Sequence, residues 1–155
     1  MKKAITIFLS VVTGIFTTLS VSAQIPRNLK QEAANKKLAQ DFFYTFYNDK
    51  NMDKARKMMH PGFINHHPHS GKGVEETIRA VNKHLFGVHP EFKVFIKRIA
   101  AEGDLVWIQC YTQDHPKDHG KMSMDIWRVK DGKIIEHWDI IQDVPKDIEP
   151  SSMWD

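Results

Sequence analysis

The 155-residue sequence contains a single cysteine, Cys110. One thiol excludes an internal disulfide framework, so the fold must depend on its hydrophobic core. Cys110 lies inside the apolar run VWIQCYT, where we expect a small buried residue. No neighbouring feature of the sequence would lower the thiol pKa, which argues against a nucleophilic role.

The chain also has little excess charge, with 22 basic and 19 acidic residues and a formal net charge of +3. Residues 1–23 contain Lys2 and Lys3 and no acidic residue, so their removal lowers the net charge to +1. Nucleic-acid binding depends on a clustered basic face, and the sequence shows none. We therefore expect no nucleic-acid partner.

Long hydrophobic runs are lacking, apart from the uncharged segment 4–19. It follows two lysines and precedes Val21-Ser22-Ala23, the small-x-small pattern of a cleavage site. The sequence thus predicts a signal peptide over residues 1–23, cleaved after Ala23, and a periplasmic or secreted protein with no membrane association after cleavage. A membrane anchor is the less favoured alternative, because the run is short and interrupted by polar residues.

The remaining chain is long enough for one domain with a single core. We divide it into a lead-in (24–34), the folded domain (35–144) and a C-terminal tail (145–155). Pro145 and Pro150 discourage regular structure in the tail.

Helical spacing dominates the first half of the domain and strand patterning the second half. The predicted elements are helices at Asn35–Asn48, Met52–His60 and Val74–Phe86, with strands at Phe63–His66, Phe92–Ala101, Asp104–Gln113, Lys121–Lys130 and Lys133–Asp143. This order indicates an α+β fold with three N-terminal helices packed on a curved, mostly antiparallel sheet. Such packing leaves a cone-shaped cavity between the two layers.

The last two strands form the most informative stretch, a hairpin turning at Asp131-Gly132. Asp125, His137 and Asp139 are set into its apolar runs. Titratable groups are rarely buried unless something pairs with them, so these three are the candidate catalytic residues. The alternative is a purely structural buried pair of Asp125 and His137.

The register of this hairpin decides which side chains share a face. A two-residue turn would place Asp125 opposite Trp138 and separate it from His137 and Asp139. A three-residue loop, Lys130-Asp131-Gly132, would place Asp125 opposite His137. We prefer the second register, because it gathers the three polar groups on one face.

The opposite face of the hairpin would then be apolar. It would carry Met124, Ile126, Trp138 and Ile140, and we expect Val106, Ile108 and Cys110 to extend it onto the preceding strand. Because soluble proteins rarely expose a large apolar patch, we expect this face to be covered by a second copy in a homodimer. A tail folded back over the face is the alternative.

Four motifs resemble one protein family. They are Phe63-Ile64-Asn65-His66-His67-Pro68, Gly103-Asp104-Leu105-Val106, Met124-Asp125-Ile126-Trp127-Arg128-Val129 and Asp131-Gly132-Lys133-Ile134-Ile135-Glu136-His137-Trp138-Asp139-Ile140-Ile141-Gln142. Together they are similar to the SnoaL-like polyketide-cyclase group of the nuclear transport factor 2-like superfamily. The likeness covers about residues 35–144. It implies the cone-shaped fold, a small-molecule pocket at its open end and, often, a homodimer.

The resemblance also implies roles for particular residues. In cyclase members an acidic residue on the last strand, matched here by Asp139, serves as acid and base in an aldol-type ring closure without metal or organic cofactor. The position of Asp125 assists from the same pocket. His66 matches the loop histidine of close relatives, whereas His67 stands where they more often have Asn.

The candidate substrate contacts combine this likeness with the residues' own chemistry. They are His66, His67, Gln109, Tyr111 and Trp127. Gln109 and Tyr111 replace histidines that related sequences often carry on the third strand, and both still offer hydrogen bonds.

Three functional hypotheses remain open at this stage. In the first, an enzyme acts on a small enolisable carbonyl compound, with Asp139 as base and His137 or Asp125 as proton donor. In the second, a periplasmic protein binds a small molecule without turnover. In the third, a metal is held by loop histidines (His66, His67, His69 and His115), although their spacing matches no established zinc pattern.

Overall fold

The computed structural model describes residues 26–155 as helices packed against one five-stranded sheet. The helices are α1 (Leu29–Tyr47), α2 (Met52–Met58) and α3 (Val74–Val81), and α3 continues into a π-helical turn (Asn82–Phe86). The strands are β1 (Met59–Asn65), β2 (Lys93–Glu102), β3 (Leu105–Gln113), β4 (Lys121–Lys130) and β5 (Lys133–Asp143). A 3₁₀ turn (Pro150–Met153) lies near the C-terminus. The predicted α+β class and the three helices on a curved sheet are confirmed. The predicted signal peptide and its cleavage site after Ala23 lie outside the described residues. Between residues 26 and 155, no helix is long and apolar enough to cross a bilayer.

The sheet has the strand order β1-β5-β4-β3-β2. β1 runs parallel to β5, and the other neighbouring pairs are antiparallel. The aromatic side chains of α1 form the core against the sheet, and the rings of Phe42 and Phe43 meet Trp127 edge-on, with centroid distances of 5.1 and 6.3 Å. Edge-to-face pairs of this kind add to the stability gained from burial.

The first helix begins at Leu29, six residues before the predicted start at Asn35. The side chain of Asn28 caps its first turn. Glu32 is buried and accepts a hydrogen bond from the backbone N–H of Gly103, in the β2–β3 turn. Part of the expected lead-in is therefore anchored to the sheet, because Glu32 bonds to a distant turn rather than to solvent.

Strand β1 begins earlier than the sequence indicated. The second helix ends at Met58, not at His60, and the strand starts at Met59 in spite of Pro61. Proline is tolerated here because β1 lies at the edge of the sheet and bonds only to β5.

The β4–β5 hairpin turns through two residues, so the expected three-residue loop is wrong. Lys130 pairs with Lys133, and Asp131 and Gly132 both have positive φ, as a type I′ turn requires. The register then shifts beyond Ile134, where Ile135 is an extra, unpaired residue in β5. This β-bulge changes which side chains of β5 share a face with those of β4.

After the bulge, Asp125 pairs with Asp139 and Trp127 with His137. The predicted direct pairing of Asp125 with His137 is therefore wrong. The three titratable groups still share the concave face. The two-residue turn and the bulged residue together shift the pairing by two positions from the expected register, and an even shift keeps each side chain on the same face of the sheet. Met124, Ile126, Trp138 and Ile140 lie together on the other side, which we call the outer face.

The expected extension of the outer face onto β3 is wrong. Ile108 pairs with Asp125 and Cys110 with Ser123, so these β3 side chains lie on the concave side. Val106, Ile108 and Cys110 are fully buried in the core beneath the helices. The outer face of β3 instead carries the alternate residues, including Gln109 and Tyr111.

The C-terminal tail folds over one end of the outer face. The Trp154 ring packs against Tyr111 at a centroid distance of 4.9 Å, and the ammonium group of Lys97 lies 3.8 Å from the centre of the Trp154 ring. Ile148 and Met153 pack against the same small cluster. The tail therefore covers Tyr111 but leaves Met124 and Ile140 exposed.

Candidate active site

A cavity of about 450 Å³ lies between the helices and the concave face of the sheet. Its volume falls in the range of small-molecule sites. Most of its lining is apolar and aromatic. The aromatic lining residues are Phe42, Phe43, Phe46, Tyr47, Phe63, Phe92 and Trp127. A small set of polar side chains from β4, β5 and the loop after β1 interrupts this lining.

The deepest polar group is the pair formed by Asp125 and His137, which are only 4 % and 3 % exposed. Asp125 Oδ1 lies 3.0 Å from His137 Nε2, and Asn65 Oδ1 lies 3.0 Å from His137 Nδ1. An amide oxygen only accepts hydrogen bonds, so Nδ1 carries a hydrogen. A second proton then lies between Nε2 and the carboxylate, and it belongs either to the imidazole or to Asp125.

Neighbouring side chains fix this pair from both ends. The Asn65 amide donates to Thr77 Oγ1 at 3.3 Å, which orients its oxygen toward His137. The Ser123 hydroxyl donates to Asp125 Oδ2 at 2.6 Å. The Trp127 ring stacks on His137, with centroids 3.9 Å apart. Asp125 and His137 are therefore held rigidly, with each hydrogen-bonding atom already engaged.

Cys110 completes the buried chain of hydrogen bonds, with its sulfur 3.0 Å from Ser123 Oγ. Burial, reinforced by the nearby Asp125 carboxylate, raises the pKa of the Cys110 thiol well above its usual range. The thiolate is the nucleophilic form of cysteine. Cys110 is accordingly a buried apolar wall of the cavity, as its sequence context predicted.

The second acid–base pair lies nearer the cavity mouth and joins Asp139 to His67. His67 Nδ1 is 2.8 Å from both carboxylate oxygens of Asp139. The Asp139 side chain is 10 % exposed and that of His67 is 36 % exposed. The hydrogen bond to Asp139 raises the pKa of His67, although partial burial opposes the shift. This pair is therefore more open to solvent than the Asp125–His137 pair, although both pairs line the cavity.

Two further hydrogen-bond donors near the cavity have no partner among residues 26–155. One is the indole N–H of Trp127, which is enclosed by the surrounding side chains and shielded from the cavity space. The other is the hydroxyl of Tyr47, whose ring lines the cavity. Burial raises the pKa of the Tyr47 phenol well above its usual range, and the negative charges of Asp125 and Asp139 add to this effect. Tyr47 therefore keeps its proton and remains a donor.

A third carboxylate at the cavity is also paired. Asp114 lies 3.4 Å from Lys121 Nζ and 3.7 Å from His89 Nε2. Its side chain is 19 % exposed and that of Lys121 is 40 % exposed, which places this group toward solvent. Every carboxylate that lines the cavity thus has a basic partner.

The arrangement also bears on the metal hypothesis. Ligand atoms of Asp125, His137 and Asp139 lie within 4.8 Å of one another. Both ring nitrogens of His137, however, already face protein oxygens at 3.0 Å, so a cation would have to displace Asp125 or Asn65. The donor set therefore fits proton chemistry better than a resident ion. Of the four loop histidines proposed as ligands, only His67 and His69 line the cavity.

The structure brings together five of the eight predicted site residues. Asp125, His137, Asp139, His67 and Trp127 line one cavity. Their roles stay predictions, because geometry alone does not test them.

Three predicted substrate contacts lie elsewhere, so their assignment is wrong. His66 points to the outer face, where it stacks on Trp138 at 4.8 Å and lies 2.9 Å from Glu136. Gln109 accepts a hydrogen bond from Arg98 on the same face. Tyr111 donates to the His119 carbonyl oxygen beneath the tail. All three sit at positions that alternate with cavity-facing ones.

Sequence reasoning also missed cavity residues. Tyr47 follows the aromatic residues Phe42, Phe43 and Phe46 of α1. Its place at the C-terminal end of the predicted helix could have indicated that it lines the cavity. Asn65 stands in the recognised motif but was assigned no role. Thr77 offered no signal, because one threonine on a helix face is unremarkable before its partner is known.

Comparison with known proteins agrees with this fold. No curated protein matches the chain significantly. A candidate SnoaL-like polyketide cyclase from Jannaschia sp. CCS1 is 25 % identical, with a TM-score of 0.61 over 77 % of this chain and 91 % of the other. A candidate ketosteroid isomerase from Kribbella flavida DSM 17836 is 15 % identical, with a TM-score of 0.62 over 76 % and 84 %. An epoxide hydrolase from M. tuberculosis is 16 % identical, with a TM-score of 0.58 over 72 % and 85 %.

The sequence model of the SnoaL-like domain matches residues 39–137, from the middle of α1 to the buried histidine of β5. That span contains most of the cavity lining and both members of the buried pair. The chain therefore belongs to the SnoaL-like domain family.

Proposed function

We propose that this protein is an exported enzyme that enolises a small, neutral carbonyl compound by acid–base chemistry, without metal or organic cofactor. The observation that carries the proposal is the presence of two carboxylate–imidazole pairs in unlike environments on one cavity wall. Asp125–His137 is almost fully buried, whereas Asp139–His67 is partly open to solvent. Two acid–base groups in different environments take different protonation roles.

The reaction needs a base near the α-carbon and a donor near the carbonyl oxygen. The Asp139–His67 pair would receive the α-proton as the C–H electron pair becomes the enolate. The unpartnered hydroxyl of Tyr47, which keeps its proton, would bind the developing oxyanion. From there the enolate is either reprotonated at another carbon, giving an isomer, or attacks a second carbonyl carbon, giving an aldol-type ring closure.

The charges at the cavity support a neutral substrate. Asp125, Asp139 and Asp114 each already bond to a basic side chain, so none of the three carboxylates is free to bind a cationic ligand. The largely aromatic lining favours an apolar ring system as the body of the substrate. The solved relatives named above include a candidate polyketide cyclase and a candidate ketosteroid isomerase, whose names refer to carbonyl compounds.

The test is hydrogen–deuterium exchange at the α-carbon of 2-tetralone, an enolisable bicyclic ketone, followed by NMR in D₂O. We expect Asp139→Asn to slow exchange by about 10²–10⁴-fold, the usual range for general acid–base catalysis. The variant keeps the side-chain shape, so folding should be preserved. Asp143→Asn is the matched control, because Asp143 ends the same strand and is exposed.

Two outcomes would contradict the proposal. Equal exchange by Asp139→Asn and the unaltered protein would make Asp139 a structural residue. Binding of the ketone without any exchange by the unaltered protein would favour the non-catalytic binding protein instead. Export is tested separately, since N-terminal sequencing of protein recovered outside the cytoplasm should begin at Gln24.

We also infer that two copies pair through the outer face. The tail covers Tyr111, yet Ile64, Met124 and Ile140 on that face are 46 %, 39 % and 74 % exposed. Exposed apolar patches on soluble proteins commonly mark association sites. A two-fold pair would cover the same patch on both copies.

A further inference from the structure

His67 pairs with a cavity carboxylate through one ring nitrogen and leaves the other ring nitrogen free. Its Nδ1 is engaged by both oxygens of Asp139 at 2.8 Å. Its Nε2 makes no hydrogen bond to any residue between 26 and 155. In contrast, both ring nitrogens of His137 are engaged.

The hydrogen-bond geometry fixes the tautomer of His67. A carboxylate only accepts hydrogen bonds, so the hydrogen of the neutral ring must be on Nδ1. The lone pair is then on Nε2, the nitrogen that has no protein partner. A histidine oriented by a carboxylate in this way can take up a proton at its far nitrogen.

The loop that carries His67 is anchored on both sides of the residue. The backbone N–H of His67 donates to Asn65 Oδ1 at 3.0 Å. Just before it, the His66 N–H donates to the His137 carbonyl oxygen at 2.9 Å, and Asn65 N–H reaches the Lys72 carbonyl oxygen at 3.0 Å. His67 is thus positioned by the same residue, Asn65, that orients His137.

We propose that His67 Nε2, rather than a carboxylate oxygen of Asp139, is the atom that removes the α-proton, with Asp139 as the residue that orients the ring and stabilises its charged form. This assignment rests on the proposed function and names its proton acceptor. In the step, the α C–H bond breaks, its electron pair forms the enolate and the proton becomes the Nε2–H of an imidazolium. Transfer of that proton back to carbon, or to the oxygen of the aldol product, restores the starting state.

If His67 is the base, the pH dependence of exchange should differ from that expected for direct proton removal by Asp139. An imidazole accepts a proton only when neutral, so exchange should rise with pH through the pKa of His67. The hydrogen bond that His67 donates to Asp139 raises this pKa above the usual value near 6.5. A carboxylate base would instead be fully active several pH units lower, because a free aspartate titrates near about 3.9.

Other groups around His67 enter this pH dependence. They are Asp139 and His137 of β5, Asp125 and Lys121 of β4, Cys110 of β3, Asp114 directly after β3, Tyr47 of α1, His84 of the π-helical turn and His69 of the loop. Among them, His69 and His84 are the imidazoles outside the two carboxylate–imidazole pairs. Their contribution is separated by observing the His67 ring itself.

The experiment follows the exchange of 2-tetralone across pH 4–9, together with NMR titration of the His67 ring in the full-length folded protein. We expect the kinetic midpoint to coincide with the measured pKa of His67, above 6.5. His67→Asn should lower exchange about 10²–10⁴-fold. In Asp139→Asn the ring of His67 should titrate at lower pH than in the unaltered protein. His66→Asn, which alters the neighbouring ring on the outer face, is the matched control and should leave both measurements unchanged.

The outcomes separate this inference from the proposed function. If His67→Asn keeps full exchange, with a midpoint in the carboxylate range, His67 is not the proton acceptor but the enolising function stands. The same conclusion follows if the kinetic midpoint fails to track the His67 titration. If the unaltered protein binds the ketone and exchanges nothing, the proposed function falls and this inference with it.

Discussion

Replacing Asp125 tests the buried network on which the cavity wall depends. In Asp125→Ala, the Ser123 hydroxyl loses its acceptor and His137 Nε2 loses its only partner. Removing one member of a buried, hydrogen-bonded pair costs about 3–5 kcal/mol. For a domain whose total stability is roughly 5–15 kcal/mol, this is a large fraction.

Asp125→Asn should cost far less. Its amide nitrogen can donate to His137 Nε2 while its oxygen still accepts from Ser123, provided that His137 is neutral. Each buried contact is then kept in the same geometry. We expect a loss of about 1 kcal/mol, the usual net value of one hydrogen bond.

Urea denaturation followed by tryptophan fluorescence measures both variants. With a slope of about 2 kcal/mol per molar urea, Asp125→Ala should lower the midpoint by about 2 M. Asp125→Asn should lower it by about 0.5 M on the same slope. An alanine variant as stable as the unaltered protein would refute the argument that this network is held by mutual hydrogen bonding. An asparagine variant as unstable as the alanine variant would show that the folded state needs a charged imidazolium at His137.

Two other predictions concern pH and assembly. The folded-state pKa of His67 is raised, so protonation of His67 stabilises the folded protein below about pH 6.5. This stabilisation is lost as the pH rises through the higher folded-state pKa. Denaturation at pH 6.0 and 8.5 should show the loss, and the His67→Asn variant should lack this part of the pH dependence. Ile140→Glu should convert the inferred dimer into monomers in light scattering at micromolar concentration, because a charge would enter the apolar interface. Val88→Glu, at an exposed apolar residue in the loop after the π-helical turn, is the control and should leave the dimer intact. An unaltered protein that scatters as a monomer would rule the interface out.

The two layers of this fold could be predicted from the sequence because the patterns that indicate helices, strands and turns are formed by residues close together in the chain. Helical spacing and the change of period after Pro90 specify the order of elements, and Asp-Gly specifies a turn. The helix start was missed because Glu32 and Asn35 acquire partners only when α1 meets the β2–β3 turn. That contact joins residues about 70 positions apart, which no local pattern can show.

The site residues of the β4–β5 hairpin were predicted on the correct face of the sheet, because the hairpin itself decides which side chains face the cavity. Site residues whose face depends on pairing with another strand were misassigned. Asp125 and Asp139 reached the cavity although their exact partners were misassigned. Tyr111 and Gln109 were placed on the wrong face of β3, because the β3–β4 register cannot be read from either strand alone. The place of His66 on the outer face likewise depends on how β1 pairs with β5.

The extra residue in β5, Ile135, makes the cavity wall insensitive to the loss of one residue at that point of the strand. Without Ile135, Ile134 and Glu136 would follow one another opposite Val129 and Arg128, in the regular alternation of a strand. His137 would still pair with Trp127, and Asp139 with Asp125, so both would stay on the concave face. Related proteins that lack the extra residue should therefore present the same wall, and a length difference at this position is no guide to a change of substrate.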